Sequence, residues 1–366
     1  MPVKALNIMK KKLNLTDVAK HLGVSIATVS NAFNRPDQLS AKLRERILAE
    51  SAKLGYHGPN LAARSLRIGA SGVIGVMLSD SLSHTFSDPV ASQLLEGIAE
   101  VLIENRKQLL LLSSHVQSME QSSAESLPDG LIVYGDIPVT RLVQIQRSGK
   151  PIVMVDCRAQ ESHSVNIDNQ SAAYTIAEHA FTNSLSQNIL NEKEKLNVSI
   201  LGLKLVDVPR VCRLADDDLT LQPQVAHNRL TGYLKATAAH NIELPADKVW
   251  HIPVNNHYYA EKAAREALMT LQQPNVLLCM SDVIALSAIK VAKELGLRVP
   301  QDIQITGFDD ISEASRSEPS LTTISQQSIE KGRVAATLLL DSIKDESEPQ
   351  HLQLQTRLVV RRSCPD

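Results

Sequence analysis

From Gly72 to about residue 343 the chain alternates short apolar runs with longer stretches of helical period, and no other feature restricts its fold so tightly. The runs fall at 73–78, 109–112, 131–134, 152–155, 198–203, 249–252, 276–280 and 303–308. Helical period marks the segments near 89–105, 138–148, 170–184, 226–240, 258–272, 283–295 and 327–343. Such alternation predicts parallel sheets covered by helices on both faces. Eight or more strands spread over this length suit two doubly wound lobes better than one sheet. Residues 185–197 and 204–224 are polar and irregular and read as surface loops, and a last strand-like run lies at 352–360.

The first 69 residues follow another pattern. They hold twelve Lys and Arg against four Asp and Glu, a net of +8, while the remainder holds 26 against 36, a net of −10. A small basic head on an acidic body suits a chain that grips a polyanion at one end. Within the head, Thr16 is expected to cap a helix over 17–22 and Gly23 to break it. Ser25 then caps a second helix over 26–33, and Ser40 caps a third that runs to about Leu54 and stops at Gly55. Ala19 lies where two helices cross closely, and Gly23 lies where a left-handed turn is usual. Val18, Leu22, Val24, Val29 and Ala32 occupy inward positions, with Leu43, Ile47 and Leu54 supplying the third helix's apolar face. These positions together describe a helix-turn-helix.

In that motif the second helix lies in the major groove of double-stranded DNA. Ile26, Ala27 and Asn31 are the base-reading candidates: the first two through apolar contact with a thymine methyl, Asn31 through a bidentate bond to adenine. Thr16, Ser25, Thr28 and Ser30, with basic residues of the third helix, suit phosphate contacts. Asn34 joins the DNA-binding set. The alternative for Thr28 and Ser30 is plain solvation of the helix. Residues 57–69 are short, basic and helix-capable and read as a linker.

In the body, several predicted strands end in polar groups: Ser79-Asp80, Asp136, Asp156, Ser281-Asp282 and Asp309-Asp310. Ligands of doubly wound sheets bind beyond the carboxyl ends of strands. Each of these residues alone is more often a helix cap or loop residue than a ligand contact, but together they outline a polar cleft between lobes. Such a cleft suits sugars or other hydroxylated or amine-bearing molecules. Aromatic residues make up only 3% of the chain, which lowers the odds of a plain hexose. Trp250 lies in a strand setting and reads as core, whereas Phe86, Tyr134, Tyr258 and Phe308 remain candidate pocket walls.

The segments DVAKHLGVSIATVSNAFN (17–34), LGY (54–56), ARSLR (63–67), SDVIAL (281–286), VPQDIQITGFDD (299–310) and PSLTTI (319–324) resemble the LacI/GalR family of bacterial transcription regulators. The resemblance implies an all-α helix-turn-helix head at 1–56, a hinge helix or linker at 57–69, and an α/β periplasmic-binding-protein-like sensor at 70–366. The sensor's two doubly wound parallel-sheet lobes would comprise about 70–168 with 301–326, and about 169–300 with 327–362, the chain crossing near 168–170, 298–302 and 325–328. It further implies that the segment from Asn60 to Arg67 folds as a helix on operator DNA, with Ala63 at the helix contact and Leu66 wedged into a base step. The alternative for Leu66 is packing on the sensor.

Asp282 and Arg229 match the family's main effector positions, Asp156 less closely, and Ser79, Asp80 and Asp309 complete the expected effector-binding set. Ser281 stands where the family often has Asn. A homodimer on a palindromic operator follows from the need for two reading heads, and effectors that release DNA and effectors that strengthen binding both occur in the family. No C-terminal heptad tail follows residue 360, so a tetramer built on a tail is not expected.

Other classes fit less well. Neither GxGxxG after the first strand nor GxSxG, HExxH or a P-loop occurs, so an enzyme is not expected. A periplasmic-type solute-binding protein would suit the lobes, but the start of the chain lacks a secretory signal and carries the helix-turn-helix. Four scattered cysteines without CxxC spacing read as reduced thiols, and neither metal nor cofactor is expected. No apolar stretch has membrane-spanning length, so the expected location is the cytoplasm, with no membrane partner.

Overall fold

The computed structural model describes residues 13–58, 70–114, 127–157, 161–186, 196–215, 224–345 and 347–366. It divides into two units, Met1–Gly72 and Val73–Asp366.

The first unit is a three-helix head. Helix α1 (Leu15–Leu22) starts at Asn14, not at Thr16. The Asn14 side chain accepts a hydrogen bond from Asp17 N at 3.0 Å, and the Asp17 carboxylate accepts one from Asn14 N at 3.2 Å. This reciprocal capping box satisfies two backbone donors at once and leaves Thr16 exposed in the first turn. Gly23, at φ +63°, ends the helix in the left-handed region that glycine adopts without strain. Ser25 caps α2 (Ile26–Asn34) through Thr28 N, and Ser40 caps α3 (Ala41–Lys53) through Leu43 N. Val18, Ala19, Val29, Ala32 and Ile47 form the buried core. Arg44 Nε ties α3 to α2 by donating to the Ala32 carbonyl at 3.1 Å, and the rings of Phe33 and Tyr56 meet edge to face at 5.6 Å.

The second unit follows the alternation read from the sequence. In chain order it runs β1 (Val73–Leu78), α4 (Pro89–Glu104), β2 (Gln108–Ser113), β3 (Gly130–Tyr134), α5 (Val139–Gln146), β4 (Ile152–Val155) and β5 (His163–Ile167). It continues through α6 (Asn169–Ser186), β6 (Val198–Leu201), β7 (Cys212–Arg213), α7 (Gln224–Ala239), β8 (Val249–His251), α8 (His257–Leu268), β9 (Val276–Cys279) and α9 (Asp282–Glu294). Then come β10 (Gln304–Thr306), β11 (Thr323–Ser325), α10 (Ser328–Lys344), β12 (His351–Leu354) and β13 (Arg357–Val359). One sheet has the order β12-β5-β4-β3-β1-β2 and is parallel throughout. The other has the order β10-β9-β6-β8-β7 and is parallel except at β7. A small antiparallel pair, β11-β13, completes the fold. Among the described residues no helix is long and apolar enough to cross a membrane.

Two expectations are corrected. Residues 301–326 do not return to the first lobe, because β10 pairs with β9 in the register Gln304↔Val276. Residues 327–362 do not all belong to the second lobe. Helix α10 packs on the first lobe's core, and β12 extends the first sheet beside β5. The final strand-like run is therefore two strands in two different sheets. The crossings fall at 167–169, 325–328 and 354–357; residues 298–302 lie inside the second lobe.

The docking of α10 against α4 uses two glycines. A Cβ on Gly97 would lie 1.9 Å from the Ile329 carbonyl oxygen, and one on Gly332 would lie 2.2 Å from that of Leu94. Only backbones without side chains approach this closely.

Candidate functional site

The strand ends of both lobes converge on a cavity of about 440 Å³. Its first-lobe wall carries Ser79 and Asp80 after β1, Asp136 after β3 and Asp156 after β4, with His84 from the short helix Leu82–Thr85 and Asp88 from the N-cap of α4. Its second-lobe wall carries Lys204, Arg229 from α7, Asn255, Ser281 after β9 and Asp309 after β10; Gln326 enters from a crossing segment. Of the effector residues expected from sequence, Ser79, Asp80, Asp156, Arg229 and Asp309 line this space.

Arg229 is the anchor of the second wall and is only 4% exposed. Its guanidinium lies over the Phe308 ring at 3.6 Å. Nε donates to Asn169 Oδ1 at 2.9 Å, and Nη1 donates to the Met280 carbonyl and to Asp309 Oδ1, the latter at 3.3 Å. Asp309 Oδ1 also accepts from Gln326 Nε2 at 2.7 Å. Gln326 Oε1 in turn accepts from Lys331 Nζ at 2.9 Å, and that ammonium donates to both Asp156 oxygens at 2.8 and 3.0 Å. An unbroken polar chain thus runs from Arg229 in one lobe to Asp156 in the other, passing through Gln326 on a crossing and touching Asn169 on another.

The backbone supports this placement. Asp156 has φ +59°, Asp309 φ +126° and Gln327 φ +55°. Left-handed backbone at residues other than glycine is uncommon and persists where surrounding bonds hold it. Burial pushes the Asp309 carboxyl well above its ordinary range, against the pull of Arg229. Burial also raises Asp88, whose side chain caps α4 by accepting from Val90 N at 3.0 Å.

Asp282 is a correction. It is completely buried and does not line the cavity. Its Oδ1 accepts from Thr323 Oγ1 at 2.5 Å and its Oδ2 from Ile311 N at 2.9 Å, so it fastens β11 and the loop after β10 to the start of α9. Gly307 makes room for it: a Cβ there would stand 2.2 Å from Asp282 Oδ1. The carboxylate that faces the cavity beside Arg229 is Asp309. Sequence reading missed Asp88, Gln326 and Lys331. Lys331 left one signal, since it sits on the helical spacing of the buried Ala335 and Leu338.

In the head, Ile26 is 48% exposed and Ala27 is exposed, so the start of α2 offers an apolar tip. Asn31 is half-buried. Ser25 Oγ is engaged with Thr28 N and with Thr28 Oγ1 at 2.8 Å. Asn34 Nδ2 donates to the Ser30 carbonyl at 3.0 Å, which closes the last turn. Lys20, Arg35, Lys42 and Arg46 are exposed. Asn60, Ala63 and Leu66 lie outside the described residues.

Comparison with known proteins matches both units. The model for bacterial regulatory proteins of the lacI family matches residues 14–60, and that for a periplasmic binding protein-like domain matches residues 219–364. An HTH-type transcriptional regulator of Mycobacterium tuberculosis is 34% identical over 349 residues, covering 90% of this chain and 91% of that protein. The HTH-type transcriptional repressor CytR of Escherichia coli is 31% identical over 355 residues, covering 94% and 93%. Among solved structures, a lac repressor dimer bound to operator and the anti-inducer ONPF shares the fold with a TM-score of 0.70 at 23% identity, covering 97% of this chain and all of that one.

Proposed function

This chain belongs to the LacI family of bacterial transcription regulators, and from that premise we propose that it is a cytoplasmic repressor that binds a palindromic operator as a homodimer and releases or tightens its hold when a small polar effector enters the interlobe cavity. The observation that carries the reading is the pairing, in one chain, of a capped three-helix head with an exposed apolar tip and a two-lobed body whose strand ends enclose a polar cavity.

On DNA, α2 enters the major groove. Ile26 and Ala27 meet thymine methyl groups and Asn31 reads adenine, while Thr16, Lys20, Arg35, Lys42 and Arg46 hold phosphates. Two heads address half-sites about 34 Å apart, one helical turn. In the cavity, Arg229 and Asp309 donate and accept hydrogen bonds to the effector. Because that pair is bonded through Gln326 to Lys331, ligand contact at Asp309 bears on the crossing that joins the lobes, and a hinge of this kind has two arrangements that ligand can bias.

The test is a mobility-shift assay of the full chain against genomic fragments with random competitor. Selective retention of a few fragments, each with a palindromic footprint, is the expected result. Uniform retention that vanishes with modest added salt would mean charge-driven, non-specific binding, and the repressor reading would fall.

A further inference from the structure

Carboxyl groups outnumber cations in the lining of the interlobe cavity: Asp80, Asp88, Asp136, Asp156 and Asp309 stand against Lys204 and Arg229. On the first lobe Asp80, Asp88, Asp136 and Asp156 face the space, and the ammonium beside them, Lys331, is spent on Asp156. On the second lobe both cations are paired, Lys204 with Asp207 at 2.8 Å and Arg229 with Asp309 at 3.3 Å. Arg229 is not exhausted: its Nε and Nη1 are bonded, whereas its Nη2 has no hydrogen-bond partner among the described residues, although the side chain is almost wholly buried in the wall. Arg229 lines the cavity, so Nη2 can donate to a ligand acceptor there.

Among the described residues the cavity offers little aromatic surface for stacking. Tyr134 is the aromatic side chain of its lining among the described residues, and the Phe308 ring beside it is covered by the Arg229 guanidinium. Planar or hexose ligands have limited flat apolar surface to rest on here.

We infer that the effector is a small non-aromatic amine, its protonated nitrogen held by Asp80, Asp88 and Asp136 of the first lobe and an oxygen acceptor at its other end held by Arg229 Nη2 of the second. Such a molecule spans both walls and draws them together. An anion, such as a sugar phosphate, meets the carboxylate wall and is rejected by like charge. Burial, with the neighbouring Asp80 adding to it, raises the Asp88 carboxyl, so this wall gains from an incoming cation.

The inference rests on the proposed effector role of this cavity, and the experiment separates the two. The dialysable part of yeast extract is divided by ion exchange into cationic, neutral and anionic fractions, and thermal unfolding of the full chain is followed with each. A ligand bound only by the native state raises the transition temperature. The cationic fraction is expected to raise it. A rise confined to the neutral or anionic fraction would overturn the amine and keep the effector site; no rise with any fraction would remove the effector site and the amine together. The double variant Asp80→Asn, Asp88→Asn is expected to need about tenfold more of the cationic fraction for half the shift, as two weakened ion pairs imply. Asn at position 88 still caps a helix. Should the double variant unfold, Asp80→Asn alone, at an exposed residue, gives a smaller displacement of the same sign. An unchanged dose response in a folded variant would sink the proposal.

Discussion

Asp282 has no exposed surface, and it accepts hydrogen bonds from Thr323 Oγ1 and Ile311 N. Burial outweighs those bonds and holds its carboxyl, ordinarily near 3.8, up to about 6. A raised acid binds its proton more tightly in the folded state. Its stabilising contribution is therefore complete below about pH 4 and lost as pH rises through 6, a difference of about 3 kcal/mol. Asn at this position keeps an acceptor and carries no charge to desolvate. We expect Asp282→Asn to gain on the parent by about 1–3 kcal/mol between acid and neutral pH, read as the change in their stability difference by urea unfolding at the two pH values. A stability difference independent of pH would refute the assignment. The sequence displays Asp282 and Asp309 alike, each just past an apolar run. What separates them is three-dimensional: Gly307 leaves room for Asp282 inside the core, while Asp309 at φ +126° is placed beside Arg229.

The contact of α4 with α10 locks the C-terminal helix onto the first lobe. Gly97→Ala would place a methyl carbon 1.9 Å from a backbone oxygen, which no rotamer change relieves. The helices must separate, and overpacking of this kind costs about 1–3 kcal/mol or more. The expected outcome is a lower urea midpoint with an unchanged slope; full stability in the variant would mean that the two helices are not in this contact in solution. At this scale much of the fold was legible. The runs at 73–78, 131–134 and 152–155 are strands with nearly the bounds expected, because uninterrupted apolar residues mark strands buried on both faces. Strand β5 was hidden because His163, Ser164 and Asn166 interrupt its apolar pattern. The polarity of His163 and Ser164 is met by long-range bonds instead: Ser164 Oγ lies 2.9 Å from His351 Nδ1, and His163 lies 3.1 Å from Ser342 Oγ. Nor does a strand pattern say which sheet a strand joins, so sequence alone places Gln304–Thr306 and His351–Leu354 in lobes other than those the pairing shows.

Across the whole chain, the polar path Arg229–Asp309–Gln326–Lys331–Asp156 joins groups far apart in sequence into one charge-balanced unit. It holds two cations and two carboxylates, with a neutral amide at its centre. Each ion pair would persist without the amide, since Arg229 bonds Asp309 directly and Lys331 bonds Asp156 directly. Gln326 therefore contributes the connection between lobes more than the stability of either. Coupling between a ligand site and a DNA site is a free energy, commonly about 1–3 kcal/mol, and it is reciprocal. If the coupling passes through Gln326, then Gln326→Leu should retain ligand binding and DNA binding measured separately, while the factor by which ligand alters DNA affinity shrinks toward one. The factor by which DNA alters ligand affinity must shrink equally. Both factors are accessible by titrating the full chain with its retained DNA fragment, with and without the fraction that raises its transition temperature. A variant with weakened ligand binding but an unchanged factor would show that Gln326 only shapes the pocket. An unchanged factor together with unchanged affinities would mean that the lobes communicate by another route, because a bond that transmits a conformational preference cannot be removed without altering the coupling it carries.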